Sequence, residues 1–259
     1  MNIVVLVKQV PDSGSERKLD PADNTVARAS ADNVINEMDE YAIEEALTIK
    51  EAQGGEVTVL TVGPDSATDA IRKALSMGAD KAVHVVDDAI HGSCAVQTSA
   101  VIAAALGQME YDLVICGAEA TDAQLSVMPA LLAERLGLPQ LSGARKVTIE
   151  GGTAKVERQT DGGFWALEAP LPAIISTWDT INEPRYPSFK GIMAAKKKPV
   201  ETKSLADIGL DAGSVGLANA TSKVLDFAGR PPKGEGVKVT DEGDGAQKFV
   251  EYLAGQKIV

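Results

Sequence analysis

The sequence predicts an α/β fold: a doubly wound, mostly parallel sheet with an antiparallel extension and an extended C-terminal arm. Three observations carry this. Short apolar runs alternate with helical patterns through residues 1–140, and repeated β-α-β-α order requires parallel strands, right-handed crossovers and helices on both faces. After Pro139 the pattern changes to short alternating segments divided by Gly151-Gly152, Gly162-Gly163 and Pro170, which reads as an antiparallel meander. From Pro199 onward Gly and Pro recur without regular periodicity.

Each element has a local reason. Residues 3–7 form a continuous apolar run that ends in polar Lys8 and Gln9, as expected of a central parallel strand. Residues 13–31 are polar, broken by Gly14 and Pro21, and Asn24 suits a turn; this is a long excursion with room for a small hairpin. Asn36 is expected to cap a helix in which Met38, Ala42, Ile43, Ala46, Leu47 and Ile49 recur at helical spacing. Glu40, Glu44, Glu45 and Glu51 are assigned to its outward face, and Gly54-Gly55 end it. Strands follow at residues 57–62, 82–86 and 113–116, separated by a helix that stops at Gly78 and a small-residue helix at 94–106. Residues 173–177 are expected to belong to the antiparallel meander, with Trp165 sealing its edge.

The stretch 111–137 has the outline of a phosphate seat. A buried-strand run reaches Gly117, where the chain turns sharply, and a helix follows that Asp122 or Ser126 can cap, running to Gly137. The first N–H groups of such a helix lack internal partners, so those of Ser126, Val127 and Met128 are free to face an anion. Ligands of doubly wound sheets lie beyond the carboxyl ends of the strands, and the loops at 8–12, 36–39, 62–65 and 117–128 are the expected wall.

Composition narrows the function. Among 259 residues, 25 Lys and Arg face 37 Asp and Glu, a net charge of −12, which argues against nucleic acid or an anionic membrane surface as main partner. No apolar run is long enough to span a bilayer and no signal peptide is evident, so the expected location is cytoplasmic. Cys94 and Cys116 fall in a predicted helix and a predicted strand and are expected to be core thiols rather than metal ligands, and neither His84 nor His91 has the neighbours of a catalytic base. Near the C-terminus, residues 247–253 form a short amphipathic helix, while Leu205, Ile208, Val215, Leu217, Val224, Leu225 and Phe227 make the tail too apolar to float free; it is expected to lie on another surface. Lys196, Lys197 and Lys198 close a short helix after a Pro-rich turn, where lysines favour a helix C-terminus and, on an acidic protein, also suit docking.

Five segments together resemble the β subunit of an electron transfer flavoprotein: VKQVPD near the start, NEMDEYAIEEAL from Asn36, TVGP from Thr61, IRKALSMGAD from Ile71 and NEPRYPSFKGIMAAKKKP from Asn182. The resemblance covers about residues 1–200. It implies a heterodimer whose α subunit holds most of an FAD and whose β subunit holds a structural AMP, carrying electrons from acyl-CoA dehydrogenases to a quinone oxidoreductase with no catalytic residues of its own. Residues 1–199 then form the nucleotide-binding domain and 200–259 an arm packing on the α subunit. Carried over by position, the AMP wall comprises Leu6; Asn36, Glu37, Met38 and Asp39; Val62; and Gly117, Ala118, Glu119, Ala120, Thr121, Asp122, Ala123, Gln124, Leu125, Ser126, Val127 and Met128. Phe189, with Ile192 and Met193, takes the place of the family's docking anchor for dehydrogenases; the alternative is that Phe189 folds back onto its own helix against Ile192 or Met193. The loop after Gly117 departs from the common pattern, which has Lys and Gln after the Gly, a run of Asp, and Asn-Gln-Thr before the helix. Some members hold a second FAD in place of AMP and split electron pairs. A rival reading, a freestanding nucleotide-binding protein of the universal-stress or adenylate-hydrolase kind, needs neither the apolar tail nor the NEPRY loop.

Overall fold

The computed structural model describes residues 1–234, 236 and 238–259. In chain order the elements are β1 (Asn2–Leu6), β2 (Gln9–Pro11), β3 (Asn33–Ile35), α1 (Glu37–Gln53), β4 (Glu56–Val62), α2 (Thr68–Met77), β5 (Lys81–Val85), α3 (Ala95–Leu106), β6 (Leu113–Gly117) and α4 (Met128–Leu136). The chain continues through β7 (Gln140–Glu150), β8 (Thr153–Thr160), β9 (Gly163–Pro170), β10 (Ala173–Thr177), α5 (Phe189–Ala195), β11 (Val200–Lys203) and α6 (Gly245–Gly255). One nine-stranded sheet runs in the order β11-β5-β4-β1-β6-β10-β7-β8-β9, and β2 and β3 form a separate antiparallel pair.

Strand alternation builds the two core layers. Successive side chains of a strand point to opposite faces, so Ile3, Val5, Val57, Val59, Leu113 and Ile115 pack in one cluster with α1 and α2. Val4, Leu6, Leu60 and Val114 enter the other, with α3 and α4. Burial on both faces is why these strands read as continuous apolar runs. The 13–31 excursion contains the expected small pairing, a bridge between Leu19 and Val26, and the β2–β3 pair closes its base.

Four expectations change. Residues 173–177 are not part of the meander: β10 lies between β6 and β7 and is parallel to both. All five of its residues are buried, the apolar Ala173, Ile174 and Ile175 as well as Ser176 and Thr177, and burial on both faces belongs to a central strand rather than to a half-exposed hairpin. Trp165 does not seal the edge of the meander; it stands 61% exposed on β9, the outermost strand. Glu44 and Glu45 do not face outward. The chain around Asn182 covers them, with Arg185 making hydrogen bonds of 2.8 and 2.9 Å to Glu44 and Asn182 contacting Glu45. Nor does the whole apolar tail wait for another surface. Val200–Lys203 adds to the sheet beside β5, and Leu205, Ile208 and Val215 are buried in the layer beneath α3.

The chain divides into two compact units, Met1–Leu225 and Asp226–Val259. The second contains α6, on which Phe249, Val250 and Tyr252 are more than half exposed. Among the described residues no helix is long and apolar enough to cross a membrane. Because Leu205 is 1% exposed within the first unit, Leu205→Ala is expected to lower the stability of the chain by about 2–5 kcal/mol without any partner present. Urea unfolding of the isolated chain measures this, and an unchanged midpoint would return the segment to the role of a partner-dependent arm.

Candidate functional site at the carboxyl ends of the strands

From β1 the connections run outward through β4 and β5 and then return to β6 on the other side of β1. Loops leaving β1 and β6 therefore diverge, which opens a crevice at the topological switch point. Leu6, Val62 and Gly117 end the three strands that floor it.

The first turn of α1 forms one wall. Asn36 occupies the N-cap position as expected, but its side chain makes no cap hydrogen bond. Its Nδ2 instead donates to the Glu119 carbonyl at 2.9 Å, and its Oδ1 accepts the Thr121 N–H at 3.0 Å. Asn36 is buried, and this two-point grip fixes the loop after β6. Asp39 accepts the N–H of Lys8 at 2.8 Å and that of Gly117 at 3.3 Å. Only glycine fits at 117: a Cβ there would lie 2.7 Å from Asp39 Oδ1 and from Met38. Glu37, further out, accepts the Ser13 hydroxyl.

Asp122 forms the second fixture. Its side chain is 1% exposed and is held by Lys8 Nζ at 2.6 Å and by the Arg28 guanidinium. Burial acts to raise this carboxyl, but the two cations outweigh it and hold Asp122 below its usual value. Burial also lowers Lys8, against the pull of Asp122. Asp39 goes the other way, pushed up to about 7 by burial despite the N–H groups it accepts.

Neither Asp122 nor Ser126 caps α4, contrary to expectation. Asp122 is committed to the cations, the N-cap is Val127 and Pro129 stands in the first turn. Ser126 has a φ of 53° and turns its hydroxyl to Glu119 at 2.8 Å. Ala120 accepts the N–H groups of Ala123 and Gln124, so residues 120–124 close a tight turn, with Gln124 also at positive φ. Ala118 bonds Thr177 in the neighbouring strand, Leu125 and Val127 are exposed, and Met128 packs on the core. The loop thus has a defined path whose final N–H groups, at the start of α4, have no helical partner.

Sequence reasoning placed Lys8 in the 8–12 loop of the expected wall without giving it a role, and it missed Arg28 altogether. Lys8 stands just beyond β1, a position that carried a signal; Arg28 lies in the polar excursion, where nothing local marks it. The structure places Phe189, Ile192 and Met193 elsewhere, on α5, with exposures of 80%, 46% and 50%. Phe189 therefore does not fold back on its helix. A cleft of about 440 Å³ at the amino ends of β1 and β6 is lined by Asn2, Tyr111 and Asp112, with Asp112 occupied by the Asn2 N–H. Among the described residues no cluster of His, Cys, Asp or Glu is placed to hold a metal. His84 contacts the Gly63 carbonyl and His91 pairs with Asp23.

The elevated Asp39 carboxyl makes stability depend on pH. The folded state binds the proton more tightly than the unfolded chain, whose carboxyl titrates near 3.8. Its contribution is complete below that value and is lost as pH rises to about 7. Relative to Asp39→Asn, the wild type should lose on the order of 1.4 kcal/mol per pH unit between about pH 5 and 6.5, and nothing further above about pH 8. Denaturant unfolding of both proteins across this range checks it; a difference that is flat or grows with pH would contradict the assignment.

Comparison with known proteins agrees with this architecture. The electron transfer flavoprotein domain matches residues 23–208. Over its full length the chain is 56% identical to the electron transfer flavoprotein subunit beta of Mycobacterium leprae, across 99% of that protein. It is 57% identical to the subunit of the same name from Mycobacterium tuberculosis H37Rv, again over all of this chain and 99% of the relative. The Megasphaera elsdenii subunit beta is 34% identical over all of both chains. With the domain match covering most of the sheet and these identities extending end to end, the chain belongs to the electron transfer flavoprotein β-subunit family.

Proposed function

We propose that this chain is the half of a heterodimeric electron carrier that holds AMP in its strand-end crevice, while an α subunit holds most of the FAD. The observation that carries the proposal is the loop 117–128, pinned at one end by Asn36 and in its middle by Asp122. Such fixing orients backbone N–H groups before a ligand arrives, and it lowers the ordering cost of binding. The N–H groups of Ser126, Val127 and Met128 suit a phosphate, Lys8 and Arg28 supply positive charge nearby, and Leu6 and Val62 offer apolar wall to a purine. These contacts depend on backbone more than on side chains, which accommodates the loop's departure from the common pattern.

In this reading the chemistry belongs to the flavin, and the chain supplies shape, electrostatics and partner recognition. Acyl-CoA dehydrogenases are the proposed donors and a quinone oxidoreductase the acceptor, with the exposed Phe189, Ile192 and Met193 as the docking face for the donor. Rigid exposed aromatics are the usual anchors of small interfaces. The 226–259 unit, whose helix exposes Phe249, Val250 and Tyr252, is the proposed arm for the α subunit. A cytoplasmic location accords with electron donors of this class.

Acid extraction of the purified heterodimer tests the nucleotide assignment. About one AMP and one FAD per heterodimer are expected. Two FAD and no AMP would make the chain part of an electron-splitting flavoprotein, and no nucleotide beyond a single FAD would overturn the AMP site.

A further inference from the structure

Opposite its exposed Phe189, Ile192 and Met193, α5 rests on α2 in a way that leaves it little freedom. Gly191, on the first turn of α5, is pressed against the carbonyl of Ser76 in α2: a Cβ at 191 would lie 2.5 Å from that oxygen. The two helices also complete each other's C-terminal ends. Arg72 of α2 donates through Nη1 to the Ala195 carbonyl at 2.7 Å, where α5 ends. Lys198, just past α5, donates through Nζ to the carbonyls of Leu75 at 2.9 Å and Ala79 at 2.5 Å, where α2 ends. The last carbonyls of a helix lack internal partners, so each helix supplies the cation that the other requires. Lys198 therefore serves α2, and not the helix it follows.

At the other end, α2 is tied to the strand-end crevice. Ser66, in the turn that enters α2, exchanges two hydrogen bonds with Gln9 of β2, at 2.8 and 3.0 Å. One ten-residue helix thus runs from the crevice wall to the underside of α5.

We propose that α2 is the platform that sets the pose of the donor-docking face, with Gly191, Arg72 and Lys198 as positioning residues. The proposal rests on the reading of Phe189 as the docking anchor, and it adds what holds that anchor in place. Ser188 caps α5 by accepting the Gly191 N–H at 3.1 Å, but a seven-residue helix is too short to hold its own direction in water. Its direction comes from α2. Alanine at 191 favours a helix intrinsically, so any loss it causes comes from pushing α5 off the Ser76 carbonyl.

The test uses the heterodimer with FAD bound and an acyl-CoA dehydrogenase reduced by octanoyl-CoA as electron donor. Phe189→Ala should raise the KM for the dehydrogenase roughly thirty-fold. Gly191→Ala and, separately, Arg72→Met should each raise it roughly tenfold, with kcat, flavin content and Tm held. In the Phe189→Ala background Gly191→Ala should add little, because both act on one contact. Amide exchange across residues 189–195 should quicken in both platform variants. If Phe189→Ala raises KM and neither platform variant does, the platform is refuted and the docking face stands. If Phe189→Ala itself changes nothing, the docking reading falls and takes the platform with it. A fall in Tm that parallels the rise in KM would also overturn the proposal, since it would mark general loosening.

Discussion

The buried carboxyl of Asp39 is the joint on which this structure turns. It accepts the N–H that follows β1 and the N–H that ends β6, so the two central strands and the first turn of α1 meet at one side chain. A buried carboxyl without such donors costs several kcal/mol; with them, it fixes the distance between loops that otherwise diverge. Gly117 permits the approach, since any side chain there would strike Asp39 and Met38. The crevice inherits its width from this contact.

Around that joint the charges are used sparingly. An acidic chain would repel a phosphate at long range, and Lys8 and Arg28 both converge on Asp122. The carboxylate has two roles: it holds the loop, and it keeps two cations on the segment that leads into α4. Lys8, Arg28 and Asp122 by themselves carry one surplus positive charge, and the Glu119 carboxylate that holds Ser126 on the same loop acts against it.

The doubly wound half was legible because burial on both faces leaves unbroken apolar runs, as at Ile3, Val4 and Val5, and because Gly78 and Gly137 stop their helices by local chemistry. What was not legible depended on contacts distant in sequence. Asn36 satisfies the local rule for a cap, yet its amide is drawn 83 residues away to Glu119. Asp122 is a plausible cap by spacing until Lys8 and Arg28 claim it. Glu44 and Glu45 sit on what a helical wheel makes the outer face of α1, and only the return of Arg185 and Asn182 covers them. Leu205, Ile208 and Val215 have no regular period because each comes from an irregular segment, so their place in this chain's own core left no pattern to read. The strand ends of the site were visible in the sequence; Asn36, Asp39 and Asp122 stood in the wall that the resemblance implied, but their part in holding the loop was not legible.

The loop fixed by Asn36 is, in the proposed function, a nucleotide seat. Calorimetric titration of AMP into the heterodimer, stripped of nucleotide but retaining FAD, tests it when wild type and Asn36→Ala are compared. Wild type is expected to bind one AMP per heterodimer, and the variant to bind at least about tenfold more weakly through loss of two hydrogen bonds to the loop, with pairing and flavin unchanged. Equal affinity in the two proteins, or no binding by wild type, would contradict the claim.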